Sequence, residues 1–442
     1  MRKQTNTNTG RSPRKAPPPP EAEQRIRTKP RPIPGMEIRE YKDAHGAYYR
    51  FRVRFTNASG QRDQETLDTP KDALDFKAKL RLMARRGNLH ELDTGEQTLV
   101  QFMPEFWSLY AKRCLAEVTR RKYRGAWNKH ILPRRICQLP MRQITPLVLY
   151  EYAAELEDDG VGAATIRGVL GMLQSMFQRA VEWGKATVNV VKQIKKPSAP
   201  RQRAIVPMTP ETVERIRAAM MELEPRRGVR DATLVSILGY TGMRPEDALA
   251  LEKRHPQEAT ILVEQKVSLG VLYPGQKTSR PPRSPRLFKQ VREDIDAYCA
   301  MFGIEDGLLF ALDDDREQPW GTTTYKNWRV RVWQPACVIA GVGRIEIYRK
   351  EDDGKMGRRY VGAVPYDLRH SFASLLIHEG KLSIVEIANQ LGHSTETLLR
   401  VYTHVIAEMQ GKPRLPAETA IDRARAKVHK GRGPEEGLAL AA

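Results

Sequence analysis

Residues Pro365–His404 read PYDLRHSFASLLIHEGKLSIVEIANQLGHSTETLLRVYTH, and this stretch decides how the rest of the chain is interpreted. Apolar residues recur at helical spacing in three successive parts of it, which predicts three short amphipathic helices. The first helix is expected to begin near Asp367. The second is expected to begin with a Ser383/Glu386 capping box and to end at Gly392.

Tyr402 lies on or beside the apolar stripe of the third predicted helix, so a core tyrosine is the simplest interpretation. Its companions favour a functional interpretation instead. They are, in chain order, Thr241-Gly242-Met243-Arg244, Asp367-Leu368-Arg369-His370 and Leu391-Gly392-His393, followed nine residues later by Tyr402. The combination resembles the tyrosine recombinase family, of the phage integrase type, and is more specific than any one of its members.

The resemblance implies a reaction in which a DNA strand is broken by transesterification. Tyr402 would attack the phosphorus and form a 3′-phosphotyrosine, which conserves bond energy for rejoining. Arg244 and Arg369 would hold the phosphate through planar, permanently charged guanidinium groups. His393 would donate to a phosphate oxygen. No metal ion, ATP or other cofactor is expected.

The proton for the leaving 5′-hydroxyl is assigned, through the same resemblance, to a lysine of a β-hairpin. Lys277, in the segment Gly275-Gln276-Lys277-Thr278, is the best match by position. Lys266 is the second candidate.

The chain departs from the family at one position. Where the family ordinarily has His-x-x-Arg, this chain has Tyr366-Asp367-Leu368-Arg369. The Tyr366 phenol can hydrogen-bond to the phosphate or to Tyr402, but it is a poor base at neutral pH. His370 follows Arg369 directly, and a histidine on a helix is more often structural. The base that accepts the Tyr402 proton is therefore left unassigned.

The composition indicates a polyanionic partner. The chain has 442 residues, enough for two or three domains, and 74 Lys and Arg against 53 Asp and Glu give a formal net charge of +21. Nucleic acid is the first candidate and an acidic membrane surface the second. No apolar run of about 18 residues is present, and the N-terminus lacks the apolar stretch of a secretory signal. The cysteines form no C-x-x-C pair, which favours reduced thiols in the cytoplasm over a zinc site or disulfides.

The chain is expected to be multidomain. It would comprise a small α+β N-terminal domain, an all-α core-binding domain, and a mainly α catalytic domain with a small antiparallel sheet. The predicted boundaries are 1–34 for a disordered basic arm, 35–92 for the sheet-and-helix domain, 97–187 for the core-binding domain, 188–207 for a basic linker, 208–412 for the catalytic domain and 413–442 for a C-terminal tail. The tail is expected either to fray or, as the resemblance implies, to pack as a helix on a neighbouring protomer. Within the catalytic domain, Ala259–Val267 is predicted to be a strand and the insertion Arg344–Tyr360 a mobile loop.

Two surfaces are predicted to contact DNA. In the strand Tyr48–Phe55, alternation places Arg50, Arg52 and Arg54 on one face and apolar residues on the other. Such a sheet suits the major groove, and the resemblance assigns it to accessory arm sites; a charge-blunted exposed strand is the alternative. In the helical domain, the predicted phosphate contacts are Arg120, Arg121, Lys122 and Arg124, with an ordinary solvated face as the alternative.

The chain is therefore predicted to be a site-specific recombinase that integrates or excises a phage or mobile element. The expected partners are double-stranded DNA attachment sites, further copies in a homotetramer, and a host DNA-bending or directionality factor. The expected location is the bacterial cytoplasm, at the nucleoid. Two alternatives stay open: a catalytically silent DNA-binding regulator of the same fold, and a relaxing enzyme similar to type IB topoisomerases. Intact Arg244, Arg369, His393 and Tyr402 count against the first.

Overall fold

The computed structural model describes residues 25–56, 62–87, 94–198, 207–275, 283–312, 316–349, 355–408 and 414–430. The chain forms two compact units, Met1–Gln202 and Arg203–Ala442. The fold class predicted from the sequence is confirmed, since the chain is multidomain and mainly helical with small antiparallel sheets.

The first unit begins with a three-stranded antiparallel sheet and one helix. The sheet has the order β1-β2-β3, with strands Glu37–Asp43 (β1), Gly46–Thr56 (β2) and Arg62–Leu67 (β3), and the helix is Pro70–Arg85 (α1). The helix begins at Pro70 because the Thr69 side chain accepts a hydrogen bond from the Asp72 amide. Phe51 and Val53 of β2 are buried against α1. The predicted strand and the helix of this domain are present, and β1 and β3 pair with β2 on either side.

The predicted boundary of the N-terminal arm is wrong for its last ten residues. Ile26 forms an antiparallel bridge with Tyr49, and its side chain packs against the apolar cluster of the sheet. Arg25 and Arg27 both form ion pairs with Asp43. Residues 25–34 therefore belong to the folded domain.

The second part of this unit is helical. Its helices are Leu99–Phe106 (α2), Lys112–Cys114 (α3), Glu117–Ala126 (α4), Pro146–Asp158 (α5) and Ala163–Glu182 (α6), with π-helical turns at Trp107–Ala111 and Trp127–Ile131. A capping box formed by Thr98 and Gln101 begins α2. Apolar side chains of α6, including Leu170 and Phe177, lie at the centre of the core.

The predicted linker 188–207 begins too early. Val190, Val191 and Ile194 are buried in the core of the helical part, and Asn189 donates to the backbone oxygen of Gln174. The apolar residues between the polar ones in this segment are what hold it to the helices.

The second unit contains the stretch quoted at the outset. Its helices are Pro210–Leu223 (α7), Pro225–Thr241 (α8), Pro245–Ala248 (α9), Lys289–Phe302 (α10), Thr322–Trp328 (α11), Gln334–Ile339 (α12), Asp367–Glu379 (α13), Ile384–Leu391 (α14), Thr395–Glu408 (α15) and Ala417–Lys430 (α16). Two antiparallel hairpins accompany them, formed by Gln265–Ser268 (β4) with Val271–Pro274 (β5) and by Gly343–Arg349 (β6) with Met356–Gly362 (β7). The three predicted helices α13, α14 and α15 are present, and the Ser383/Glu386 capping box and the end of α14 at Gly392 are confirmed.

Two local predictions for this unit differ from the structure. The predicted strand Ala259–Val267 is regular only from Gln265, whereas Ile261 and Val263 are buried and joined to neighbouring segments by isolated bridges. The predicted mobile loop Arg344–Tyr360 is largely the hairpin β6–β7, with Ile345 paired to Tyr360.

Helix α16 packs on its own unit. Ala417, Ile421 and Ala424 are buried, and Arg425 donates to Asp294 of α10 at 2.6 Å. Residues 417–430 are therefore not a frayed tail, because their apolar stripe is covered by the same chain. Packing of this helix on a neighbouring protomer stays a prediction.

Candidate active site

The end of helix α8 places the first predicted arginine. Gly242 ends this helix in the left-handed conformation, with φ of 63°. A Cβ atom at this position would lie 2.4 Å from Phe372 Cδ1, so the close approach to α13 requires glycine. The chain then turns sharply, and Arg244 becomes the N-cap of α9.

The Arg369 side chain donates hydrogen bonds to the C-terminal ends of two helices. Its side chain is 1% exposed and donates through Nη1 to the Gly242 carbonyl and through Nη2 to the Leu391 carbonyl. These carbonyls lie at the C-terminal ends of α8 and α14, where backbone oxygens lack helical partners and carry partial negative charge. The helix ends therefore stabilise a buried guanidinium that has no carboxylate partner among the described residues. Burial, and then the charges of Arg244 and Arg283, lower its pKa.

Arg283 and Asp247 complete this cluster, although the sequence did not single them out. Arg283 donates through Nη2 to Asp247 Oδ2 at 2.7 Å and through Nη1 to the Gln390 carbonyl at 2.9 Å. Arg244 Nη1 lies 3.7 Å from the same Asp247 oxygen. Burial lowers the pKa of Arg283, and the Arg244 charge adds to this effect while Asp247 opposes it. The one available signal was the position of Asp247 three residues after Arg244 on a predicted helix.

His393 faces this positive cluster directly after Gly392. Burial, followed by the charges of Arg369 and Arg244, lowers the pKa of His393 to about 3. The imidazole is therefore neutral near pH 7, with one N–H to donate. Its Nδ1 is buried and has no hydrogen-bond partner within the described parts of the chain.

Tyr402 lies inside the unit on α15. The residue is 1% exposed, and its hydroxyl is 2.5 Å from His370 Nδ1. Burial raises the pKa of Tyr402, and the positive charge of Arg369 partly offsets this rise. The hydroxyl is thus protonated at neutral pH and held by a histidine that the sequence predicted to be structural.

Tyr366 stands just before α13 and is 42% exposed. Its ring meets that of His370 edge to face, with centroids 5.6 Å apart. The phenol also affects the pKa values of Arg369 and Tyr402, which indicates that it is close to both.

Of the two candidate lysines, one lies in the part of the chain that the structure describes. Lys277 lies outside the described residues. Lys266 is half-buried on β4, opposite Tyr273 of β5.

The predicted arginine face of β2 is wrong for Arg50. This residue is 2% exposed, and its Nε donates to Asp68 Oδ1 at 2.6 Å. Arg52 is half-buried, and Arg54, with 68% of its side chain exposed, forms an ion pair with Glu37. The alternation of residues along β2 does not reveal Asp68, which follows β3 and forms an ion pair with the buried Arg50 side chain.

The predicted basic residues of α4 are partly neutralised by their own helix. Arg120 and Arg121 form ion pairs with Glu117. Arg124 lies over the Trp107 ring at 5.1 Å. Lys122 is exposed.

Neither a metal-binding cluster nor a membrane-spanning helix is formed by the described residues. No group of three or more His, Cys, Asp or Glu side chains there could hold a metal ion. No helix in that part of the chain is long and apolar enough to cross a membrane.

Comparison with known proteins places the fold. No protein-family model matches the chain. It is similar to tyrosine recombinase XerD of Chlamydia pneumoniae, with 28% identity over 204 residues that cover 46% of this chain and 58% of XerD. It is similar to tyrosine recombinase XerC of Escherichia coli, with 23% identity over 265 residues that cover 60% of this chain and 77% of XerC. The chain thus spans less than two thirds of the length of XerD.

Solved integrase structures share the fold. One is the Tn1549 transposon integrase in complex with transposon right end DNA, with a TM-score of 0.54, 15% identity, and coverage of 76% of this chain and 99% of that one. Another is a lambda integrase dimer bound to a COC′ core site, with a TM-score of 0.51, 18% identity, and coverage of 72% and 98%. These likenesses concern the fold alone. Together with the sequence likeness to XerC and XerD, they identify the tyrosine recombinases and integrases as the proteins that this chain resembles.

Proposed function

We propose that this protein is a site-specific DNA recombinase of the integrase type, which breaks and rejoins DNA through a phosphotyrosine formed on Tyr402. The observation that carries the proposal is the charge of the arginine cluster that includes Arg369, whose charge lowers the pKa of Tyr402 against the effect of burial. Arg244 and Arg283 share the carboxylate of Asp247, while Arg369 has no carboxylate partner among the described residues. Three cations and one anion leave a net positive site, which favours a phosphodiester.

The reaction follows from these groups. The Tyr402 oxygen attacks phosphorus, the bond to the 5′-oxygen breaks, and the 3′-phosphate remains on the protein. Arg244 and Arg369 hold the non-bridging oxygens, and neutral His393 donates its N–H to one of them. Lys277 supplies the proton to the leaving 5′-oxygen, with Lys266 as the second candidate. Attack by a different 5′-hydroxyl reverses these steps and joins the new strand.

Binding of DNA has to open the site. Tyr402 is 1% exposed without DNA, so the structure around its hydroxyl has to open before this hydroxyl reaches a phosphate. Such a movement would couple cleavage to correct placement on DNA.

The rest of the chain supplies DNA contacts in this proposal. The exposed basic residues Arg54, Arg121 and Lys122 contact DNA phosphates in this proposal. Arg52, Arg120 and Arg124, which neighbour these residues in the sequence, contribute to the same surfaces. A separate N-terminal sheet domain supports an integrase of a phage or mobile element, which binds accessory arm sites. The working form is a tetramer on paired attachment sites at the bacterial nucleoid, with a host DNA-bending or directionality factor. The dimeric state of the lambda integrase complex supports a multimeric form.

The test is the capture of covalent adducts on nicked duplexes. The full chain is incubated with a library of DNA duplexes that have a randomised core sequence and a nick near it. Cleavage beside the nick releases a short strand, which diffuses away, so the cut strand is not rejoined. Protein-linked DNA is then recovered and sequenced. We expect adducts to Tyr402, enriched in one core sequence.

Two variants and one assay interpret the result. Tyr402→Phe should form no adduct, whereas Tyr348→Phe, which changes an exposed tyrosine of β6, should form it normally. Adducts that persist in Tyr402→Phe would contradict the proposal. Binding without cleavage by the unchanged protein would favour the silent regulator, and relaxation of a plasmid without paired sites would favour the topoisomerase-like enzyme.

A further inference from the structure

The contact between His370 and Tyr402 concerns the one role that the sequence left unassigned. His370 Nδ1 lies 2.5 Å from the Tyr402 hydroxyl, and the two rings are 5.7 Å apart at an angle of 48°. His370 is the one hydrogen-bond partner of this hydroxyl among the described residues. The contact joins α13 to α15, so it depends on the fold and not on a local turn.

The protonation state of His370 suits an acceptor. Burial lowers its pKa, Arg369 lowers it further, and Asp367 on the same helix opposes them. Tyr366, Tyr402 and His393 are the other titratable groups that face it. The imidazole is therefore neutral at pH 7, and a protonated phenol donates to a neutral Nδ1.

A base in direct contact is needed because the nucleophile is a weak acid. A phenol with an ordinary pKa near 10 is about 0.1% ionised at pH 7. Burial raises the pKa of Tyr402 and lowers this fraction further. The proton must therefore leave as the oxygen attacks, and it needs an acceptor within hydrogen-bond reach.

The other two candidates are poorly suited to this role. Tyr366 is itself a phenol, and it approaches His370 through its ring edge. His393 makes no hydrogen bond to Tyr402 within the described structure, and three arginines reduce its basicity. Their charge favours a hydrogen-bond donor to phosphate at this position over a proton acceptor.

We propose that His370 is the catalytic base of this protein, replacing the histidine whose usual position is occupied by Tyr366. The inference rests on the proposed function. As the Tyr402 oxygen bonds to phosphorus, its proton passes to His370 Nδ1, and the electron pair of the broken phosphorus–oxygen bond goes to the 5′-oxygen, which takes its proton from Lys277. In rejoining, the imidazolium returns the proton to the Tyr402 oxygen as it leaves phosphorus. The Tyr366 ring limits the rotation of His370 and so positions it.

The experiment measures single-turnover adduct formation on the nicked duplex selected above. His370→Asn keeps an acceptor near the Nδ1 position but cannot take a proton, so we expect a loss of about 10²-fold or more. His378→Asn is the matched control, because it changes an exposed histidine two turns along the same helix. Thermal unfolding and DNA binding are measured in parallel, and His370→Gln is a second variant if His370→Asn does not fold.

Two readouts separate a base from a packing residue. In the unchanged protein, the rate should fall as pH drops through the pKa of His370, which lies below 6.5, and this limb should be absent in His370→Asn. Replacing Tyr402 with a fluorinated tyrosine gives a phenol that ionises more readily. This replacement should raise the rate of adduct formation by a larger factor in His370→Asn than in the protein with His370.

The outcomes distinguish the two proposals. Adducts to Tyr402 that form at the same rate with and without His370, or an acid limb that persists unchanged in His370→Asn, would overturn the role of His370 and leave the recombinase intact. Absence of any Tyr402 adduct from the unchanged protein would overturn the proposed function and, with it, this inference.

Discussion

Arg283 donates to Asp247 Oδ2 at 2.7 Å, and Arg244 Nη1 lies 3.7 Å from the same oxygen. The Asp247 side chain is 4% exposed and that of Arg283 is 8% exposed. Two cations of the candidate site thus depend on one buried carboxylate. This acid keeps the arginines together when no DNA is bound, because a cluster of unpaired guanidinium groups would repel itself.

Asp247→Asn should destabilise the second unit by about 3–5 kcal/mol, the usual cost of removing one partner from a buried ion pair. Urea unfolding would measure the change. Glu293→Gln breaks the exposed pair with Lys289 on α10 of the same unit and should have little effect, so it serves as the control. Equal stability of Asp247→Asn and the unchanged protein would show that Arg283 is held by other contacts.

Arg369→Lys should keep the charge but lose the fork that reaches both Gly242 and Leu391. A lysine ammonium is a point charge and cannot span the two helix ends in the same way. Adduct formation should fall by about 10²–10³-fold, as for loss of one phosphate donor. Arg423→Lys, on the exposed side of α16, should be unchanged.

Tyr366→Phe should retain most of the cleavage activity. The ring that packs on His370 is kept, and only a hydroxyl is lost. One neutral hydrogen bond corresponds to a rate change of at most about tenfold. Complete loss of adduct, as expected for Tyr402→Phe, would instead assign the proton transfer to the Tyr366 hydroxyl.

Acidification should lower the free energy of unfolding, partly through protonation of His393. Its pKa is about 3 when folded and near 6.5 when unfolded. Between these values the unfolded state binds a proton that the folded state does not. Its contribution to stability is therefore complete above pH 6.5 and is lost as pH falls towards 3.

The measurement is the difference in urea unfolding free energy between pH 7.5 and 5.0, a range above the titration of most carboxylates. His393→Gln removes this group while leaving His370, which acts in the same direction, in place. The loss on acidification should be smaller in the variant. An equal loss would mean that other groups carry the acid sensitivity.

Features set by neighbouring residues were predictable from the sequence. The capping boxes at Thr98/Gln101 and Ser383/Glu386 and the helix end at Gly392 each depend on a few adjacent positions. The helices that carry Arg369 and Tyr402, and the helix end that His393 follows, were predicted from the same local signals.

Features set by distant partners were not predictable. Arg50 alternates with apolar residues, yet Asp68 lies 18 positions away and pairs with it inside the domain. Arg283 is 36 positions from Asp247, and His370 is 32 from Tyr402. Periodicity says which side of an element a residue occupies, but it does not say which charged group the fold brings to that side.

The packing of α16 on its own unit leads to the last prediction. Ile421 is fully buried, so Ile421→Ala should destabilise the second unit by about 2–5 kcal/mol through the lost contacts and the cavity left behind. Arg423→Ala, on the exposed side of the same helix, is the control. Because the stripe is covered by the same chain, the Tm should not depend on protein concentration when DNA is absent. A Tm that rises with concentration and loses this dependence in Ile421→Ala would instead mean that α16 docks on a neighbouring copy.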